Sequence, residues 1–219
     1  MTKIINFIAH SRIIHNIISF IINYIPQFVT HNILKYFSIK KILYQINIDG
    51  ISSDYCEFGC FTGASINHAL NFHKKNMKEK KMMFYGFDSF EGFPEEVHYE
   101  FKSENFKANY NFVKKLESKF DNCKIIKGYF NNSLEEKYVK ETIKEISFAF
   151  IDCDLGSSSE PVFKFIKKRL SNGAFIMIDD YFNIDKKNNS ILLTMKSYFT
   201  MNENITVYNY FGNGGIIFK

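Results

Sequence analysis

Two stretches decide how this chain is read: F-A-F-I-D-C-D-L at residues 148–155 and A-F-I-M-I-D-D-Y at residues 174–181. Each is an apolar, strand-forming run that breaks off in two carboxylates. A near-continuous run such as A-F-I-M-I suits a parallel strand covered on both faces. Acids at the carboxyl ends of such strands face the crevice where open α/β sheets bind ligands.

Working outward, Y-C-E-F (55–58), K-M-M-F-Y-G-F (81–87), C-K-I-I-K (123–127) and I-S-F-A-F-I (146–151) are further short β-rich runs. Helical patterns are predicted between and after the runs, over 63–76, 105–119, 133–144, 157–170 and 188–199. The alternation predicts an α/β fold, a doubly wound, Rossmann-like and mostly parallel sheet. I-T-V-Y-N-Y, F-G-N-G and G-I-I-F-K (205–219) predict a closing antiparallel hairpin.

The 219 residues suffice for one well-packed domain with an appendage, and 46% hydrophobic content excludes global disorder. The net charge of +5 comes almost wholly from lysine, since Arg12 and Arg169 are the only arginines. Nucleic-acid readers use arginine for bidentate contacts. The densest basic run, K-K-N-M-K-E-K-K (74–81), reads as a solvated helix end, so no nucleic-acid partner is expected. Cys56, Cys60, Cys123 and Cys153 form no C-x-x-C pair, which favours buried thiols in a reducing cytoplasm over zinc or disulfides.

Residues 1–48 are rich in Ile, but Arg12, His15, Asn16, Asn23 and Pro26 interrupt them. A span of about twenty apolar residues is therefore missing, and a transmembrane helix is not expected. The segment predicts helices that pack on a domain at 49–219, on a second copy of the chain, or on the inner face of a membrane.

E-F-G-C-F-T-G-A-S (57–65) follows the first strand and opens the first helix of the sheet. Gly59 permits the turn, and Gly63 permits close approach of a ligand or of the strand. The helix start offers free N–H groups to an anion. Asp88, just past the second strand, stands where an acid accepts hydrogen bonds from ribose hydroxyls. Together they favour a nucleoside-containing cofactor, and the lack of G-x-G-x-x-G disfavours a dinucleotide.

Asp152, Asp154, Asp179 and Asp180 are expected at neighbouring strand ends about 4.8 Å apart. Asp152 and Asp154 point the same way if the strand persists that far. So many carboxylates do not all stay ionised without positive charge among them, and neither motif contains Lys or Arg. Two readings stay open on the residues alone. One is a hard divalent cation, Mg²⁺ first. The other is helix capping by Asp154 and Asp180, with raised pKa values absorbing the repulsion.

E-F-G-C-F-T-G-A-S, G-F-D-S-F-E-G-F-P-E (86–95), F-I-D-C-D-L and G-A-F-I-M-I-D-D-Y, in that order, resemble the macrocin O-methyltransferase family over roughly residues 50–219. These are S-adenosylmethionine-dependent enzymes that methylate sugar hydroxyls. The resemblance implies a class I methyltransferase sheet, a divalent metal, and a sugar or glycan acceptor. It implies that Glu57, Gly59, Thr62, Gly63 and Ser65 surround the methionine part of the cofactor. Asp88 with Ser89 would hold the ribose, and Asp152 would adjoin the cofactor too. Asp152, Asp179 and Asp180 would be metal ligands and Asp154 the base, with Asp152 its rival; His68 and His98 are other bases to weigh. Family members usually carry an aromatic residue where this chain has Gly156, which implies a missing wall in the acceptor pocket. Two further readings are a non-catalytic cofactor-binding scaffold in glycan assembly and an NAD-dependent oxidoreductase.

Overall fold

The computed structural model describes residues 2–77, 80–94, 102–186, 188–199 and 205–219. Its strands are β1 (Asp54–Phe58), β2 (Phe84–Asp88), β3 (Cys123–Lys127), β4 (Ile146–Ile151), β5 (Leu170–Ile178), β6 (Val207–Phe211) and β7 (Gly215–Phe218). The helices before the sheet are α1 (Thr2–His10), α2 (Arg12–Tyr24) and α3 (Gln27–Ile48). Within it come α4 (Ala64–Asn76), α5 (Tyr110–Lys114), α6 (Leu116–Lys119), α7 (Phe130–Ser133), α8 (Lys137–Thr142), α9 (Gly156–Ile166) and α10 (Ile191–Tyr198).

All six residues of β4 are buried, as a central strand with helices on both faces requires. The sheet runs β3-β2-β1-β4-β5-β7-β6. The first five strands are parallel, and β7 inserts antiparallel between β5 and β6. The expected doubly wound sheet with its closing hairpin is therefore present. Chain order reverses at β1, so the tips of β1 and β4 diverge into the crevice that such a switch creates.

One face of the sheet carries α3, α4 and α5, which bring Ile39, Ile42, Leu43, Ile46, Ile66, Leu70 and Val113 to Tyr55, Phe148, Phe150 and Phe175. The other face carries α8, α9 and α10 against Phe58, Phe87, Ile151 and Ile178. In α3 the spacing 39, 42, 43, 46 forms one helical stripe, and all four side chains are fully buried. The second half of the N-terminal segment is thus part of the domain core. No residue of α2 is buried, and Ile13, Phe20 and Tyr24 are widely exposed. Among the described residues, no helix is long and apolar enough to cross a membrane.

Three predicted helices are shorter than their sequence patterns. The segment 105–119 begins with a 3-10 turn, and Asn109 caps α5 by accepting the Phe112 N–H. The segment 133–144 is helical only over α8, with α7 ending at Ser133 before it, and Leu134 and Val139 both reach the core. The segment 157–170 stops at Ile166, because the Arg169 carbonyl accepts the Ile146 N–H and Leu170 already pairs in the sheet. The four cysteines are free and buried.

Ile42→Ala should lower unfolding free energy by about 2–5 kcal/mol in urea titrations, the range for truncating a buried isoleucine. A loss under about 0.5 kcal/mol would mean that α3 is not part of the cooperative core.

Candidate active site

β1 ends at Phe58, and the next residue decides how close β4 can come. A Cβ on Gly59 would lie 1.8 Å from the Asp152 carbonyl oxygen, and its φ is +95°. Glycine there allows the turn after β1 to pass against the tip of β4. Gly63 has a different role: it starts α4 at φ +77°, and a Cβ would meet Val113 at 2.8 Å. Its small size serves helix packing.

Beneath this loop Glu57 is fully buried. Its carboxylate accepts from the Tyr55 hydroxyl and from the Ser65 hydroxyl, each at 2.5 Å. Burial pushes its pKa up to about 7, against the two hydroxyl donors. Asp88 accepts N–H groups from Phe61 and Phe90, both at 2.7 Å, which folds the loops after β1 and β2 around one carboxylate. Burial raises its pKa, and those N–H donors oppose the rise.

A cleft of about 640 Å³ opens beyond the strand tips, a usual size for a small-molecule site. Gly59, Asp88, Ser89, Asp152, Asp154, Asp179 and Asp180 all line it. Glu57, Thr62, Gly63 and Ser65 do not; Glu57 and Ser65 brace the loop from below, and Thr62 points to the exterior. Tyr129 and Phe130, after β3, also line the cleft. They were not singled out in the sequence, although an aromatic pair at a strand tip beside Asp88 offers a stacking surface.

The carboxylates converge by a route that strand alternation does not supply. β4 ends at Ile151, and Asp154 adopts a left-handed backbone with φ +59°, which turns its side chain back toward the tip. Oxygen atoms of Asp152, Asp154 and Asp180 lie within 4.8 Å of one another. Burial and mutual repulsion raise the pKa of all three. The Asp154 and Asp180 carboxyls also face one another directly, which adds to the rise at Asp154 and opposes it at Asp180.

Asp179 lines the same cleft but is engaged by the N-terminal helix. Lys35 Nζ, from α3, lies 2.6 Å from Asp179 Oδ2 and 3.0 Å from Asp152 Oδ2. His31 Nε2–H donates to Asp179 Oδ1 at 3.0 Å, while its Nδ1 accepts the Asn213 N–H at 3.0 Å. Burial works to raise Asp179, but His31 and Lys35 override it and hold the carboxyl below its usual range. Burial likewise works to lower the Lys35 pKa, and Asp152 and Asp179 more than reverse that. The Asp179 hydrogen bond raises the proton affinity of His31, whereas the N–H aimed at Nδ1 favours the neutral ring. The motifs themselves contain no cation, but the N-terminal segment supplies one.

The other positions weighed as bases sit apart. His68 Nε2–H donates to the Tyr36 carbonyl at 3.1 Å and joins α4 to α3. His98 lies outside the described residues. At Gly156, which does not line the cleft, a Cβ would meet main-chain atoms of Asn189 and Ser190 at 2.8–2.9 Å, so glycine lets the two segments pack. Asp185 secures that segment by accepting the N–H groups of Ser157 and Asn189.

A model of the macrocin O-methyltransferase (TylF) family matches residues 34–208. The chain belongs to that family. It is an O-methyltransferase, and the match reaches back into α3, further than residue 50. Among solved structures, the O-methyltransferase NovP is 15% identical, with TM-score 0.65 over 85% of this chain and 79% of that one. CalS11, a calicheamicin methyltransferase, is 17% identical, with TM-score 0.71 over 99% and 89%. At such identities the likeness is one of fold. No curated protein matches the chain.

Glu57 gives a signed pH dependence. Its folded pKa of about 7 exceeds the ordinary value of 4.5, so the folded state binds more protons between them. Stability from this group is full below about pH 4.5 and is lost as pH rises through about 7. Relative to Glu57→Gln, the wild-type protein should lose on the order of 3 kcal/mol across that window in urea titrations. Parallel pH profiles for the two proteins would contradict this account of Glu57.

Proposed function

We propose that this O-methyltransferase moves the methyl group of S-adenosylmethionine to a sugar hydroxyl, assisted by a divalent cation held by Asp152, Asp179 and Asp180. The observation that carries the reading is one cleft that joins the Gly59 turn and Asp88 to the four strand-tip carboxylates. One apo structure of CalS11 is that of a TDP-rhamnose 3'-O-methyltransferase, which supports a sugar-linked acceptor for an O-methyltransferase of the same fold.

The residues fit both groups. Asp88 keeps lone pairs for ribose hydroxyls after accepting two N–H groups, and Ser89 stands beside it in the cleft wall. Tyr129 and Phe130 offer flat apolar surface to an adenine ring. The oxygens that converge are those of Asp152, Asp154 and Asp180, with Asp179 beside them on Lys35, and an all-carboxylate donor set suits Mg²⁺ or Mn²⁺. Four carboxylates face the one Lys35 ammonium, so negative charge is in excess at the strand tips. A divalent ion matches that surplus.

The chemistry supplied by such an ion is Lewis acidity toward a hydroxyl oxygen, and that of the cofactor is an electrophilic methyl on a sulfonium. Asp154 is the proposed proton acceptor: its raised pKa makes it a stronger base than an exposed aspartate. The hydroxyl proton passes to the Asp154 carboxylate. The oxygen lone pair forms the new O–C bond, the C–S bond breaks, and sulfur leaves as a neutral thioether. The cleft walls hold donor and acceptor in line, which supplies much of the acceleration.

Calorimetry with S-adenosylmethionine, S-adenosylhomocysteine and NAD should detect the first two and not the third. EDTA should abolish product formation on a glycan acceptor. Asp180→Asn should reduce turnover at least about 100-fold while leaving S-adenosylmethionine affinity within about threefold. Full activity in EDTA, or an unimpaired Asp180→Asn enzyme, would remove the metal from the proposal.

A further inference from the structure

Lys35 stands where a positive charge is needed, but it arrives from outside the two acidic motifs. Its ammonium bridges Asp152 of the β4 tip and Asp179 of the β5 tip, and its side chain is only 12% exposed. The Phe150 ring lies 5.9 Å below the ammonium. These two carboxylates are also two of the three that the metal reading assigns to the ion. A divalent ion bonded to the same oxygens would lie within a few ångströms of the ammonium, about 2.0–2.2 Å from atoms that Lys35 already approaches at 2.6 and 3.0 Å. Two cations that close repel strongly where little water screens them.

The part of α3 that Lys35 anchors is lightly held. From Gln27 to Leu34 most residues are exposed, whereas Ser38 begins the buried stripe. Ahead of Lys35, the side chains of His31 and Gln27 hydrogen-bond this half-helix to the domain. His31 bonds Asp179 and Asn213, and Gln27 donates to the Asn213 side chain at 3.1 Å. The first of these depends directly on where Asp179 points. We infer that Lys35 is a tethered counter-cation that competes with the divalent ion for Asp152 and Asp179, so that loading the ion expels the ammonium and loosens the 27–36 half of α3 from the cleft. The inference rests on the metal reading above and adds a coupling between ion occupancy and the N-terminal helices. It gives the ion two effects in one step: it completes the site, and it clears Lys35 from the cleft that the acceptor must enter.

The test is Mn²⁺ calorimetry on the full chain, wild type against Lys35→Met, whose side chain fills similar space without charge. The variant should bind Mn²⁺ at least about tenfold more tightly. Equal or weaker binding overturns the competition, because it places the ion on Asp152, Asp154 and Asp180 with Lys35 still seated. Absence of Mn²⁺ binding by either protein overturns the inference together with the metal reading, so the two failures are distinguishable. Amide hydrogen exchange on the wild-type protein gives a readout that needs no variant. Saturating Mn²⁺ should speed exchange across residues 27–36 and leave 39–46 unchanged. Unchanged or slower exchange over 27–36 overturns the inference.

Discussion

Asp152, Asp154, Asp179 and Asp180 end two neighbouring strands, and the separation of paired strands leaves them no room to avoid one another. The cost of gathering like charges in a half-buried cleft is met in three ways at once. Asp154 and Asp180 have raised pKa values, Asp179 is held ionised by His31 and Lys35, and Asp152 leans on Lys35. None of these removes the surplus. A site with unspent negative charge, walled by apolar strand tips, is built to attract something positive, and the sulfonium donor and a divalent ion both qualify.

The same constraint explains why the N-terminal segment is not a detachable appendage. α3 enters the core with its stripe of Ile39, Ile42, Leu43 and Ile46, and that packing fixes the direction in which the preceding turns run. Extended backward by helical spacing, the stripe reaches Lys35 and His31, so core packing aims a cation at the strand tips. The hairpin closes from the other side: a Cβ on Gly212 would overlap the His31 ring, and glycine there lets the Asn213 N–H reach Nδ1. Elements from both ends of the chain thus meet over Asp179.

Much of this was legible in the residues. Apolar runs of strand length, broken by helical patterns, sufficed for the parallel sheet, because burial on both faces leaves that signature. The paired acids at the tips of β4 and β5 marked the cleft. Lys35 and His31 were not found, because attention to Ile content hides polar residues that interrupt an apolar stripe. The signal was present in the spacing 31, 35, 39, 42, 46. The convergence of Asp152 and Asp154 was expected for a different reason than the observed one. Strand pleat requires a strand that continues, whereas the chain uses a left-handed aspartate, a backbone choice that local sequence does not announce. Helix ends were misplaced where a tertiary contact intervenes, as at Arg169, whose carbonyl the sheet claims.

Gly156 shows how packing can dictate a single position next to a site. A Cβ there would run into the main chain of Asn189 and Ser190. Asp185 holds that main chain by bonding both Ser157 and Asn189, and Ser190 then caps α10. Glycine at 156, the buried Asp185 and the start of α10 are therefore one packing solution. These residues stand behind the cleft and outside its lining, whereas Ser157 and Ser158, the next two, reach it. The glycine thus sets how closely α9 and α10 dock, and through that docking where the first turn of α9 meets the cleft.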